Sequence, residues 1–337
     1  MLKKVFHTAM LVAMVMFCVV PLFSGGNAEG PMLASIVSAS TLIGLQKTFK
    51  ALFRESFDAV EPMWQKVAME VPSENAEEAY QWLGAVPSMK EWLDEKAFEE
   101  LRGFDFTIKN KDWESTIAVD RNHIEDDQLG LYRPRIMALA EEAKRHPDEL
   151  VSLARSTGGA TLCYDGQFFY DTDHAAGKSG TLSNLLTGTG VTAALFTADF
   201  RAARAAFRLL KDDQGKPFLR RMGKLDLLVT IPPGLEVVVE EVANATLISN
   251  TTNVLKGAFE YVVDPYITDA NDWYLDYKGA PVKPFVVQMR KRPVFVAMDN
   301  PEASDSTFLR KRYLYGVEAR YNAGLALWQL SIKTTNT

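Results

Sequence analysis

The stretch IEDDQLGLYRPRIMALAEEAKRHPDELVSLARS, residues 124–156, decides the fold. Ile136, Leu139, Ala140 and Ala143 recur at helical spacing and form one apolar stripe, while Arg135, Glu141, Glu142 and Lys144 fall on the wet side. The spacing predicts a helix. Asp126 and Asp127 lie near its start, Lys144, Arg145 and His146 near its end, and Pro147 should stop it. Pro147, Asp148 and Glu149 then read as the opening of a second helix over residues 150–155, with proline first and carboxylates at the positive end of the dipole. Residues before this stretch read as extension, and residues after it as an α/β body.

The chain of 337 residues can bury a large core as one domain with long excursions. A hydrophobic content of 47% with 24% charged residues excludes a disordered chain and a polytopic membrane protein. Lys3 and Lys4 precede an apolar run over residues 9–20, Pro21 breaks it, and Gly26, Asn27 and Ala28 offer small residues to a signal peptidase. Residues 1–28 therefore read as a signal-like leader, too short to span a bilayer, which needs about 20 apolar residues. Removing that leader takes away two lysines and moves the formal charge from -6 to -8. An acidic body argues against tight sequence-independent binding of nucleic acid, which depends on neutralising phosphates. Cys18 lies in the leader and Cys163 stands alone in the body, where it reads as a small buried residue with no disulfide partner.

Outward from the helix, residues 42–60 form an amphipathic helix with Leu45, Phe49, Leu52, Phe53 and Phe57 on one face. It is either a first core helix or an arm that packs on a neighbouring subunit. Phe104, Phe106 and Ile108 alternate with polar residues, as do Trp113, Ser115, Ile117 and Val119, with Asn110, Lys111 and Asp112 between them. That pattern predicts a hairpin, and a hairpin alone in water is marginal. Its cover is the body or another copy of the chain. Residues 158–190, with seven glycines, read as mostly turn around a short strand at 167–170. A helix over 197–210, a buried strand over 225–231, a turn at Pro232, Pro233 and Gly234, and a helix over 235–243 follow. Further strands are expected at 259–263, 273–277, 285–289 and 294–297. Tyr313, Tyr315, Val317 and Ala319 then alternate, and a turn at 321–324 should fold residues 325–332 back as a closing hairpin.

Candidate chemistry is sparse. Asp171, Asp173 and His174 are the one histidine and carboxylate cluster to test as a metal or acid/base site, but three ligands from one turn are cramped and a structural turn or surface loop is the better reading. His123, beside Glu125 and Asp126, reads as a solvated helix entrance. Gly177, Lys178 and Ser179 copy the end of a phosphate-binding loop, but Thr172 stands where its first glycine belongs, and the later Thr187 to Gly190 run lacks the lysine. No nucleophile elbow occurs. The basic runs Arg290, Lys291, Arg292 and Arg310, Lys311, Arg312 could meet a phosphate backbone, although charged strand ends or subunit contacts suit them better. No enzyme, cofactor or metal is called for.

The blocks YQWLGAVPSMKEWL, FDFTIKNKDWESTIAVDRNHIEDDQLGLYRPRI, HPDEL and CYDGQFFYDTDH, in this order and spacing, resemble the gpT family, the major head subunits of Mu-like bacteriophages and prophages. The resemblance runs from about Met32 to the C-terminus and is densest over residues 80–174. It implies an α+β fold of the Hong Kong 97 type, with an N-terminal arm (32–79), an extended hairpin loop (80–123), a spine helix with part of the peripheral domain (124–157), an axial domain (158–264) and strands returning to the peripheral domain (265–337). The subunit-interface candidates are then Phe104, Phe106, Trp113 and Ile117, in a loop clasping another copy. In that setting Trp113→Ala should cost the isolated subunit little. The implied partners are the chain itself in hexamers and pentamers, scaffold, protease and portal proteins, and packaged double-stranded DNA held by weak non-specific contact, with no membrane for the body. The implied location is the virion, after assembly in the host cytoplasm. The leader lies upstream of the resemblance and reads as a start placed too early, ahead of a segment removed in assembly or an export signal. An encapsulin-like compartment, and an exported hydrolase or binding protein using Asp171, Asp173 and His174, are the competing functions.

Overall fold

In the computed structural model the long helix runs from Arg133 to Ser156 without interruption, entered through a short turn at Leu129–Leu131. The residues described are 39–80, 106–126, 128–219, 221–223, 226–248, 251–298 and 310–336, so the leader and Phe104 lie outside them. Pro147 sits inside the helix, where a stop followed by a second helix was expected. An internal proline removes one hydrogen bond and crowds the preceding turn, at a cost of about 3 kcal/mol. The next two turns offset that cost through tertiary contacts. Asp148 Oδ1 accepts the Trp64 N–H at 2.6 Å, Ser152 Oγ donates to Asp264, and Arg155 Nη1 donates to Asp276 Oδ2 at 2.8 Å. These three side chains are spaced to share one helix face.

The front half of the helix behaves as its stripe predicts. Ile136, Leu139, Ala140 and Ala143 are buried against Leu42, Leu45, Phe49 and Phe53 of the helix Ala39–Ala59. The residues 42–60 thus pack as a core helix of their own chain. Both helices cover a four-stranded sheet of order Ala68–Pro72, Phe285–Met298, Arg312–Leu325, Lys111–Asp120. The first pair is parallel and the other two antiparallel. Tyr313, Tyr315 and Val317 reach the helices through alternate positions, as the alternation predicts, and Phe49 meets Tyr315 edge-on at 5.1 Å.

Three expectations fail in this sheet. The strands expected at 285–289 and 294–297 are one strand, Phe285–Met298, with register irregularities between Met289 and Val294. Residues 321–324 are not a turn but the end of Arg312–Leu325, which pairs back to Phe285. Finally, Thr107–Lys109 and Lys111–Asp120 do not pair as a hairpin: the first joins Glu77–Ala79 and the second joins Arg312–Leu325. Gly324 serves close packing rather than a turn, since a Cβ there would collide with the Ile108 side chain.

The second sheet has five strands, in the order Glu260–Val263, Leu227–Ile231, Trp273–Tyr277, Ser331–Thr335, Leu185–Thr187. Every residue of Leu227–Ile231 and of Trp273–Tyr277 is buried, which requires cover on both faces. On one face Trp273 meets Phe196 of the helix Ala193–Leu209 at 4.9 Å, with the helix Glu236–Asn244 alongside. On the other, Tyr274 meets Tyr170 at 5.5 Å and Arg155 at 5.1 Å. The segment after residue 265 therefore serves both sheets.

Arg155 is the joint. Its side chain is 2% exposed and that of Asp276 is 1% exposed. Asp276 Oδ1 also accepts from Ser331 Oγ at 2.6 Å, and Tyr170 OH pairs with Ser331 Oγ at 2.9 Å. The guanidinium lies 5.1 Å from the Tyr274 ring, in the five-stranded sheet, and 5.0 Å from the Phe285 ring, at the start of the central strand of the other. Burial opposes its charge, but Asp276 and Tyr170 hold the pKa of Arg155 above its ordinary value. Asp276→Ala leaves that cation buried without a counterion and should cost about 3–5 kcal/mol, whereas Arg155→Met with Asp276→Leu should recover part of the loss. Urea unfolding of the unassembled subunit measures both; an unchanged midpoint for Asp276→Ala would contradict this role.

Candidate assembly surface

Residues 77–80 and 106–110 form a closed stem. Glu77–Ala79 pairs antiparallel with Thr107–Lys109, the Tyr80 N–H donates to the Phe106 carbonyl at 2.8 Å, and the Asn110 N–H donates to the Ala76 carbonyl at 2.9 Å. Residues 81–105, between the two sides of the stem, lie outside the described residues. The stem is fastened to the sheet beneath by Gln288, which is fully buried. Tyr80 OH donates to Gln288 Oε1 at 2.7 Å, and Gln288 Nε2 donates to the Ile108 carbonyl at 3.1 Å. Burial pushes the Tyr80 phenol up, so it stays a donor. The turn before the stem closes on Glu78, whose carboxylate accepts from the Asn75 N–H at 3.0 Å, Ser73 Oγ at 2.9 Å and the Glu74 N–H at 3.0 Å. Those donors, Asn75 first, hold its pKa at about 2.

The interface candidates are scattered by this geometry. Phe104 lies outside the described residues. Phe106 is half-buried at the stem, between the stem cluster and the main core. Ile117, also half-buried, packs against the cluster formed by the two helices and the four-stranded sheet. Trp113 belongs to neither place: its Nε1 donates to the Tyr321 carbonyl at 2.8 Å, and its ring meets His146 of the long helix at 4.3 Å. His146 Nδ1 pairs with Tyr321 OH at 2.8 Å, and burial lowers the His146 pKa against the pull of Glu149 and Glu142. Strand Lys111–Asp120 is thus part of its own subunit, with a free outer edge among the described residues. Lys111, Asp112 and Glu114 stand exposed along it, charges that discourage indiscriminate edge pairing.

The remaining candidates take structural places. His174 is fully buried, stacked on Trp328 at 3.9 Å, with Nδ1 2.6 Å from Asp165 Oδ2 and Nε2 3.2 Å from Asn184 Oδ1. It is a core histidine, not part of a surface loop. Asp173 is exposed, a side-chain hydrogen bond with Asp171 raises its pKa, and the His174 ring is held by Asp165 and Asn184. No group of three His, Cys, Asp or Glu side chains among the described residues could hold a metal ion. Cys163 is buried, and desolvation raises its thiol pKa. His123 is half-buried with Nδ1 2.7 Å from Tyr132 OH, rather than solvated. Lys291 and Arg292 are taken up by Glu318 and Glu70. Arg155, Asp276, Gln288 and Tyr80 were not singled out from sequence. A signal existed: Asp276 in WYLDY and Gln288 in FVVQM are lone polar residues in apolar strands, and such groups need a buried partner.

No helix among the described residues is long and apolar enough to cross a membrane. The architecture is shared with solved capsids. The procapsid of bacteriophage JBD30 superposes with a TM-score of 0.58 at 26% identity, over 89% of this chain and 76% of that one. A virus-like particle from Pyrococcus furiosus superposes with a TM-score of 0.53 at 8% identity, over 86% of this chain and 98% of that one. The fold is the α+β capsid fold of the Hong Kong 97 type. The profile of the Mu-like prophage major head subunit gpT matches residues 42–199 and 268–337, and the chain belongs to that family. The Mu-like prophage FluMu major head subunit of Haemophilus influenzae is 26% identical over 86% of this chain and 70% of its own length. The major capsid protein of Escherichia phage Mu is 23% identical over 88% and 74%.

Trp113→Ala therefore acts on the subunit itself, contrary to the expectation of a small effect. Losing a half-buried indole and its hydrogen bond should cost roughly 2 kcal/mol in the unassembled protein. Equal urea midpoints for parent and variant would show that Trp113 is held by something other than its own chain.

Proposed function

We propose that the chain is the building block of an icosahedral phage head, arranged in hexamers and pentamers around double-stranded DNA. The observation that carries the reading is the closed stem of residues 77–80 and 106–110, anchored on a body joined through Arg155. A loop borne on such a stem, as the family implies, suits a contact with another copy. In this assignment the strand Lys111–Asp120 belongs to the body rather than to the loop expected over 80–123, and the helix Arg133–Ser156 is the spine. The four-stranded sheet forms the peripheral domain and the five-stranded sheet the axial domain.

The protein is a shell component rather than a catalyst, located in the virion after assembly in the host cytoplasm. Scaffold, protease and portal proteins are its assembly partners, and packaged DNA touches it weakly and without sequence preference. Electron microscopy of the purified full chain, with sedimentation, tests the reading. Closed shells or ring-shaped capsomers are expected; a monodisperse monomer at all concentrations would contradict it.

A further inference from the structure

Two helices pack side by side on one face of the five-stranded sheet. The helix Ala193–Leu209 leans toward Ser331–Thr335, next to one edge strand, and the helix Glu236–Asn244 leans toward Glu260–Val263, the other edge strand. Their outer faces carry opposite charge. On the first, Arg201, Arg204 and Arg208 recur at helical spacing, with Arg201 and Arg208 exposed and Arg204 half-buried. On the second, Glu236, Glu240 and Glu241 are all exposed. Among the described residues none of these six side chains has an ion-pair partner, whereas Lys66, Lys109, Lys278, Lys291, Arg292 and Lys333 all do.

Each helix also has one aliphatic side chain in the open: Leu209, at the end of the first, is 72% exposed, and Val237, next to Glu236, is 77% exposed. Each adds apolar area to a contact made by the charged residues.

We propose that the arginine row of one copy docks on the glutamate row of the next, a head-to-tail contact that repeats around a ring of copies. The occupant of each row is a second copy of this chain. Complementary patches at different places on one molecule make a heterologous contact, and such a contact forms a ring when its rotation closes. Charge pairing fixes the register and rejects the wrong flank, because like charges brought together repel. Leu209 and Val237 contribute the apolar contact between the rows. The net charge of -6 makes phosphate a poorer partner for the arginines than a glutamate row already carried by every copy.

This contact rests on the shell reading above, and its test separates the two. Three full-length proteins are compared by sedimentation and electron microscopy: the parent, Arg201→Glu with Arg204→Glu and Arg208→Glu, and Glu236→Arg with Glu240→Arg and Glu241→Arg. Each reversal alone should lower the assembled fraction by about tenfold or more, with the thermal unfolding of the unassembled subunit unchanged. Mixing the two variants in equal amounts should restore hexameric rings but not closed shells, because alternating copies again place opposite charges together and only rings of even number close this way; a mixture that forms no rings overturns the contact. If a reversal set does not fold, Arg201→Gln with Arg204→Gln and Arg208→Gln replaces the arginine reversal and the glutamine forms replace the other, each with a smaller loss in the same direction. Variants that assemble like the parent overturn the contact and leave the shell reading standing. So do arginine variants that form normal particles but lose bound DNA, since the row would then face phosphate. A parent that forms no particles overturns both.

Discussion

An arginine buried beside an aspartate is an expensive way to join two pieces of protein. Taking either charge out of water costs several kcal/mol, and the attraction between them repays this only with good geometry and further hydrogen bonds. Arg155 and Asp276 have both: a 2.8 Å contact, the Ser331 hydroxyl on the second carboxylate oxygen, and two aromatic rings over the guanidinium. An apolar pair of similar volume could stabilise as well, but it would not fix direction. The ion pair makes one arrangement of spine helix and five-stranded sheet far better than any shifted one. Phe285, under the same guanidinium, brings the first residue of the other sheet's central strand to the joint.

From that joint the order of the rest follows. The helix continues past Pro147 because Asp148, Ser152 and Arg155 all find partners beyond it. The strand Phe285–Met298 begins at the joint and carries Gln288, which fastens the stem through Tyr80 and Ile108. A subunit of a closed shell has to pass load between neighbours without coming apart. Here the stem, the four-stranded sheet, the spine helix and the five-stranded sheet are linked through buried polar contacts of fixed geometry.

Much of this was legible in the sequence where the signal is local. The stripe Ile136, Leu139, Ala140 and Ala143 gave the face of the spine helix, alternation from Tyr313 to Ala319 gave a strand and its inner face, and the unbroken apolar run ending at Ile231 gave a strand covered on both sides. Strand partners were not legible. Alternation reports which face of a strand is buried and says nothing about its neighbour. The segments around Ile108 and Trp113 looked like a hairpin because they are adjacent, yet the first pairs with Glu77–Ala79 and the second with Arg312–Leu325. Asn322 and Gly324 carried turn chemistry, but their use is to receive the stem: Asn322 Nδ2 donates to the Lys109 carbonyl at 2.8 Å, and Gly324 leaves room for Ile108. Of the candidate site, Gln288, which anchors the stem, was visible only as a lone polar residue in an apolar strand.

If the joint at Arg155 makes the two sheets one body, they cannot open separately. Native-state hydrogen exchange on the unassembled subunit tests this directly, by comparing amides of Trp273–Tyr277 with those at the start of Phe285–Met298. The account predicts that both sets exchange through one opening with a common free energy and a common dependence on denaturant. Exchange of one strand through an opening that leaves the other protected would contradict it.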